Sequence, residues 1–360
     1  MILSLFGFGF SITQSLNSQN LTECGISQGP SLEKLFLQDR EIEWFRGWDD
    51  VVAPLFHTEY YTNRFNSIEA KTAQLSEKYY QGHSFALWRP HCSDAEIEHE
   101  FLLLTKLRTE AWFELTDEVR SNWNRFESGR HWREDFRPAY SLFSTAFVRN
   151  LNCIAFESNA LEFFNGSLVA CNGKKFLAME GPQDVNLHLF FLSLLNANAA
   201  MLVRLTPEIE NGVHRCTNYW DGRVRDNQIE VPMNFRGATK APKLIEYLAT
   251  DHWADAKAAN VDLLLELVDD IRTRYASAEG PLAVHCSAGV GRTGSLIAAY
   301  LIAEEIDSQV KAGVPIDNLK FSIQEIVAQL SLQRFHMVSN LLQYKNLYHF
   351  VDKYIERLRG

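Results

Sequence analysis

The chain has 360 residues, 46% of them hydrophobic and 22% charged, with a formal net charge of -10. That length suits about two domains of ~100–200 residues, and the composition is that of a soluble globular protein. The acidic balance, with no basic stripe to neutralise a phosphate backbone, argues against a nucleic-acid partner.

At the amino terminus Met1 to Phe10 is apolar but short, and no Lys or Arg precedes Lys34. It fits neither a signal peptide with a basic start nor a membrane span, and no run in the chain approaches the ~20 apolar residues that a span needs. Residues 1–30, rich in Ser, Asn and Gln, read as a flexible leader. Such leaders occur in effectors that bacteria export into host cells without a cleaved signal; the alternative is a frayed terminus.

Residues 31–130 read as a mostly helical region of unknown role, with room for an unknown partner. Its clearest helix starts at Ser93-Asp94, good N-cap residues with Glu96 in the first turn. Ile97, Phe101, Leu104, Leu107, Trp112 and Leu115 follow near helical spacing, and Gly129 ends it. Trp88, Trp112, Trp123 and Trp132 suit packing better than a ligand box, and His83, His91, His99 and His131 lack ligand spacing. The six cysteines, Cys24, Cys92, Cys153, Cys171, Cys216 and Cys286, form no CxxC pair. Neither a zinc site nor a disulfide framework is indicated, and no metal or cofactor is expected.

Further on, 199–204 is a strand candidate and Val261 to Tyr275 a helix. Pro281 to Val284 is a buried strand, and Ser295 to Val310 and Leu319 to Leu332 are amphipathic helices. The densest chemistry lies at the junction HCSAGVGRTG, running from His285 through Cys286, Ser287, Ala288, Gly289, Val290, Gly291, Arg292 and Thr293 to Gly294. A loop of small residues turns successive N–H groups inward, and the next helix adds its unpaired N–H groups, so the pair forms an anion socket. A cysteine at its mouth has its thiolate favoured, below the free pKa of ~8.5. Arg292 can grip two oxygens of a tetrahedral oxyanion, and Thr293 can donate a hydrogen bond to the departing sulfur. A cysteine nucleophile aimed at a bound phosphate is the result, and it needs reducing, hence cytoplasmic, surroundings.

This junction resembles the signature loop of the protein tyrosine phosphatases, in the form of the tyrosine-specific branch. Other stretches carry the likeness outward over roughly Arg137 to Gly360, so that 131–360 is expected to be the catalytic domain. Its implied fold is α/β, a twisted mixed sheet flanked by helices, with the signature loop at a strand end.

Residues 149–159 are similar to the family's substrate-recognition loop, and by that match Asn150 and Asn152 bind substrate. Asn150 stands where the family has its ring-stacking tyrosine. Asn63 to Ile68 is a second candidate for that loop, out of family order. Residues 165–169 and 174–182 resemble two sheet strands with their turn. In Glu210 to Trp220, similar to MEKGxxKCxxYWP, the likeness makes Glu210 the residue that orients Arg292, and it puts Arg215 against the acid loop. His252-Trp253-Ala254-Asp255 resembles the HWPD of the general-acid loop, with alanine for proline. In residues 334–344, similar to RxxMVQTxxQY, Ser339 replaces the first glutamine and Gln343 keeps the second, so one of the two must position the attacking water.

The expected reaction is hydrolysis of phosphotyrosine in proteins, with Cys286 as nucleophile, Arg292 as phosphate clamp and Asp255 as acid, then base. His285, Trp253 and Arg215 support the site. The alternatives are a dual-specificity or phosphoinositide phosphatase, and a module that binds phosphotyrosine without cleaving it.

Overall fold

The structure, a computed structural model, describes residues 58–127, 153–155, 163–235, 238–239, 241–276 and 278–360. Two long helices come first, α1 (Thr58–Tyr80) and α2 (Asp94–Glu127). Ser93 caps α2 as its composition predicts. Its hydroxyl accepts the Glu96 N–H at 3.3 Å while Glu96 accepts the Ser93 N–H at 2.8 Å, a reciprocal capping pair.

Strands β1 (Cys153–Ala155), β2 (Phe163–Cys171) and β3 (Lys174–Met179) lead to helix α3 (Leu187–Asn196) and strand β4 (Met201–Arg204). Short strands follow: β5 (Ile209–Glu210), β6 (Val213–His214), β7 (Val224–Arg225), β8 (Gln228–Val231), β9 (Asn234–Phe235) and β10 (Ala238–Thr239). The chain closes with β11 (Lys243–Ala249), α4 (Val261–Tyr275), β12 (Leu282–His285), α5 (Gly291–Lys311), α6 (Ile323–Gln333) and α7 (Leu341–Arg359).

Among the described residues, eight strands form one sheet in the order β1-β2-β3-β12-β4-β11-β8-β7. The four central strands are parallel and the outer ones antiparallel, which is the mixed sheet that the resemblance implies. β12 sits between β3 and β4, and its four residues are all buried. A strand covered on both faces must be apolar throughout, and Leu-Ala-Val meets that demand. Alternation then divides its side chains. Leu282 and Val284 join the helical core with Leu296, Ile297 and Tyr300 of α5. His285 faces the other layer, where its ring lies 5.5 Å from that of Phe190 on α3.

Helices α1 and α2 belong to this same body. Ile97, Leu104 and Ala111 of α2 sit in the core cluster with Leu330, Tyr344 and Leu347. Tyr80 of α1 donates to the Ala328 carbonyl at 3.2 Å. Trp88 stacks on Phe321 with centroids 5.4 Å apart, a packing role as expected. One compact unit runs from Asp50 to Gly360. The expected leader, the boundary at 130–131 and the recognition-loop residues Asn150 and Asn152 lie outside the described residues. The second recognition-loop candidate falls inside α1: residues 63–68 are helical, so they form no loop at all.

Candidate active site

The carboxyl end of β12 delivers Cys286 to the middle of the sheet, where the chain turns through 287–290 into α5. The turn depends on Gly289. Its φ is +70°, and a side-chain carbon there would sit 2.1 Å from the Met179 carbonyl oxygen of β3. In this conformation the Gly289 N–H points at the Cys286 sulfur, with N···Sγ of 3.2 Å. α5 begins without a side-chain cap, so its first N–H groups are left for the socket that the sequence predicts.

His285 steadies the strand end rather than adding charge. Burial lowers its pKa to about 3, so the ring is neutral at working pH. Its Nδ1 lies 3.1 Å from the Cys286 carbonyl oxygen and its Nε2 2.5 Å from the Tyr219 hydroxyl. A neutral ring satisfies both contacts by donating from Nδ1 and accepting at Nε2. Buried Arg334, which the resembling stretch contains without assigning it work, holds the loop from below. Its guanidinium donates to the carbonyls of Gly289 at 2.7 Å and Ala288 at 3.1 Å, and to Ser167 Oγ at 3.0 Å. With those carbonyls turned toward Arg334, the loop's N–H groups are free to face the opposite way. An arginine wholly inside a helix-to-loop junction is not distinguishable in sequence from a solvated one, which is why its role escapes a sequence reading.

Arg292, in the first turn of α5, is 1% exposed. Its Nη1 donates to the Trp253 carbonyl at 2.8 Å, and its Nη2 lies 3.1 Å from Asp255 Oδ1. Both Nη atoms stand 3.4 Å from Glu210 Oε2. Glu210 also accepts the Asp255 N–H through Oε1 at 2.6 Å. Arg215 completes the cluster, with Nη1 3.1 Å from Asp255 Oδ2 and Nε 3.5 Å from Glu210 Oε2. Two carboxylates and two guanidiniums therefore interlock, and the loop carrying Asp255 is docked directly on the arginine that the sequence assigns to phosphate.

The loop's own shape is set by Trp253. Buried beside the core, it donates from its indole nitrogen to the Lys257 carbonyl at 3.0 Å. Ala254 stands where the resemblance calls for proline. Asn340 Nδ2, from the start of α7, donates to the Ala256 carbonyl at 3.0 Å and so holds the loop from outside. Asn340 also caps α7 by accepting the Gln343 N–H at 3.0 Å.

Ser339 and Gln343 meet one another. Gln343 Oε1 accepts from the Ser339 N–H at 2.9 Å and from its hydroxyl at 3.0 Å. Both crowd the start of α5, since a side-chain carbon on Gly291 would come within 2.7 Å of Ser339 Oγ and 2.9 Å of Gln343 Nε2. One expected contact differs. The Thr293 hydroxyl is buried without a hydrogen-bond partner among the described residues, so its bond to the sulfur is not made in this state. Groups of His, Cys, Asp and Glu able to hold a metal are absent among the described residues.

Compared with known proteins, residues 230–353 match the family model described as protein-tyrosine phosphatase. The tyrosine-protein phosphatase non-receptor type 20 of rat is 25% identical over 62% of this chain and 58% of its own length. The corkscrew tyrosine-protein phosphatase of Drosophila melanogaster is 28% identical over 51% of this chain and 24% of its own. The chain thus spans well under two thirds of the length of these relatives. They are animal proteins, and the expectation of a bacterial effector gains nothing from them. Among solved structures, the catalytic domain of human protein tyrosine phosphatase non-receptor type 18 superposes with a TM-score of 0.50 at 20% identity, covering 71% of this chain and 99% of that one. At that identity the likeness establishes the fold. Another structure, of that phosphatase in complex with HER2 phospho-peptides, has the same TM-score of 0.50 over 70% of this chain and 97% of that one.

Proposed function

We propose that this chain, which carries a domain of the protein-tyrosine phosphatase family, hydrolyses phosphotyrosine in proteins through a cysteinyl-phosphate intermediate. The observation that carries the reading is the Gly289 N–H aimed at the Cys286 sulfur, in the turn that leads to a buried Arg292 already touching Asp255.

In the first step the Cys286 thiolate attacks phosphorus in line with the tyrosine oxygen. Amide groups of 287–292 and the Arg292 guanidinium hold the equatorial oxygens. Phosphate oxygens compete for the guanidinium N–H groups that Asp255 holds in this structure, so substrate binding releases that carboxyl toward the leaving oxygen. A tyrosine leaving group of pKa ~10 departs poorly as an anion at neutral pH, and Asp255 supplies its proton. Glu210 keeps Arg292 oriented while Arg215 keeps Asp255 within reach. In the second step Asp255 takes a proton from water near Ser339 and Gln343, the water oxygen bonds to phosphorus, and the sulfur–phosphorus bond breaks. The thiolate leaves, with the Thr293 hydroxyl as its hydrogen-bond donor. That hydroxyl lacks a partner in the state described, which suits a donor engaged only when charge develops on sulfur.

The substrates on this reading are phosphotyrosine-bearing proteins, and 131–360 forms the catalytic domain, with Asn150 and Asn152 placed in its recognition loop by the resemblance. Among the described residues no helix is long and apolar enough to cross a membrane. A thiolate nucleophile works in reducing surroundings, which favours a cytoplasmic site of action.

The test is a comparison of substrates. Turnover should be fastest on phosphotyrosine peptides, at least about tenfold above phosphoserine peptides and phosphoinositides in kcat/KM. A preference for phosphoserine or lipid would overturn the specificity, and binding of phosphotyrosine without phosphate release would make the chain a recognition module.

A further inference from the structure

The segment between α6 and α7, residues 334–340, carries Ser339 and leads into Gln343, and its backbone is unusual. His336 has φ of 66° and Val338 φ of 56°. A β-branched residue in the left-handed region is strained, and such a conformation persists only where its surroundings impose it. The carbonyls of Met337 and Val338 point into the protein toward α2. There Arg108, 3% exposed, donates from Nη1 to Met337 O at 3.2 Å and to Val338 O at 3.0 Å.

The other contacts of Arg108 are weak. Its Nη2 reaches only the Thr105 hydroxyl at 3.4 Å, and its guanidinium lies over the Phe101 ring at 5.2 Å. Among the described residues no carboxylate pairs with it, and its Nε is buried without a partner. Burial lowers its pKa only to about 10, so the side chain stays cationic at neutral pH. Burying a charge without a counter-ion is costly. One of the two carbonyls it holds is that of strained Val338, the residue that fixes where Ser339 begins, and the other is that of Met337, between the two strained residues.

We propose that Arg108, from the helical region preceding the catalytic motifs, is a positioning residue for the second step: its carbonyl clamp holds 337–338 so that the Ser339–Gln343 pair stays against the phosphate loop. This rests on the hydrolase reading. In that step water oxygen bonds to phosphorus, its proton passes to Asp255, and the Cys286–phosphorus bond breaks with the electron pair returning to sulfur. Arg108 touches neither Cys286, Arg292 nor Asp255, so the first step does not depend on it.

The two steps separate kinetically with p-nitrophenyl phosphate, whose good leaving group makes cysteine attack insensitive to the acid. In the full chain Arg108→Met should lower kcat about tenfold and KM in parallel, leave kcat/KM within about twofold, and reveal a burst of one p-nitrophenol per enzyme. Arg108→Lys, which keeps the charge and can reach one carbonyl, should recover part of the lost kcat. Should Arg108→Met fail to fold, Arg108→Lys carries the same readout: a fall of about threefold in kcat alone is expected, and an unchanged kcat overturns the proposal. Equal losses in kcat and kcat/KM, the mark of a merely structural role, also overturn it. If the unmodified chain releases no p-nitrophenol, the hydrolase reading itself has failed and this one falls with it.

Discussion

Two buried thiols in this protein show how the surroundings of a single atom decide chemistry. The Cys216 sulfur faces the Pro207 carbonyl at 3.7 Å, and burial pushes its pKa up to about 12, leaving an inert thiol. The Cys286 sulfur accepts the Gly289 N–H in the turn that leads into α5. Asp255 depends on its neighbours in the same way, held by Arg292 and Arg215. Asp255→Ala should lower kcat on phosphotyrosine peptides by about 10²–10⁴-fold, the usual worth of a general acid. Peptide affinity should hold or tighten, since a carboxylate that competes with phosphate for Arg292 is gone. Titration of the peptide into the inactive Cys286→Ser form, with and without Asp255→Ala, measures this; weaker binding in the double variant contradicts it. At this scale the sequence was legible where a residue type has one chemical use. Arg292, Glu210 and Asp255 do come together. Arg334, Arg108 and Asn340 were not legible, because each works through backbone carbonyls from another part of the chain.

At the level of elements, the loop at 252–257, proposed to carry the general acid, holds the clearest departure from the resembling pattern. Alanine at position 254 gives up the fixed φ that proline would supply. In the structure the loop is held instead by bonds from three sides. Arg292 and Glu210 grip 253 and 255, Trp253 closes on Lys257, and Asn340 reaches the Ala256 carbonyl. Ala256 itself has φ of 55°, a further strain that these bonds must offset. Asn340→Asp keeps the α7 cap while removing the donor to Ala256. It should lower kcat/KM for phosphotyrosine peptides about three- to tenfold, and change it less for p-nitrophenyl phosphate, whose leaving group needs the acid least. Equal effects on both substrates would show that Asn340 does not act through the acid loop. Element positions themselves were largely readable. The helix predicted at 261–275 is observed at Val261–Tyr275, and that predicted from Ser295 starts earlier, at Gly291. The early start reflects glycines that read as loop residues but serve as the first turn of α5.

Over the whole molecule, α1 and α2 prove to be part of the body that holds the site. Sequence alone separates them, because the apolar stripe of α2 says that it packs without saying on what. The answer is α6 and α7, through Leu104, Arg108 and Glu100, whose carboxylate accepts from the Tyr344 hydroxyl at 3.2 Å and from that of Tyr348. Leu104→Ala, at a site with 0% exposure, should lower stability by about 2–5 kcal/mol. Unfolding should remain a single transition if α2 and the catalytic body melt together. Two transitions in a calorimetric scan, with only the first one moved, would show that α2 is an independent unit.

The central claim is that the sulfur of residue 286 becomes bonded to phosphorus during turnover. It is tested most directly by mixing the full chain with a phosphotyrosine peptide, quenching in acid within the first turnover, and measuring the mass of the peptide that contains Cys286. An added PO3 group is expected on that cysteine, absent in Cys286→Ser, which releases no phosphate. Phosphate release by Cys286→Ser at the rate of the unmodified chain would contradict it.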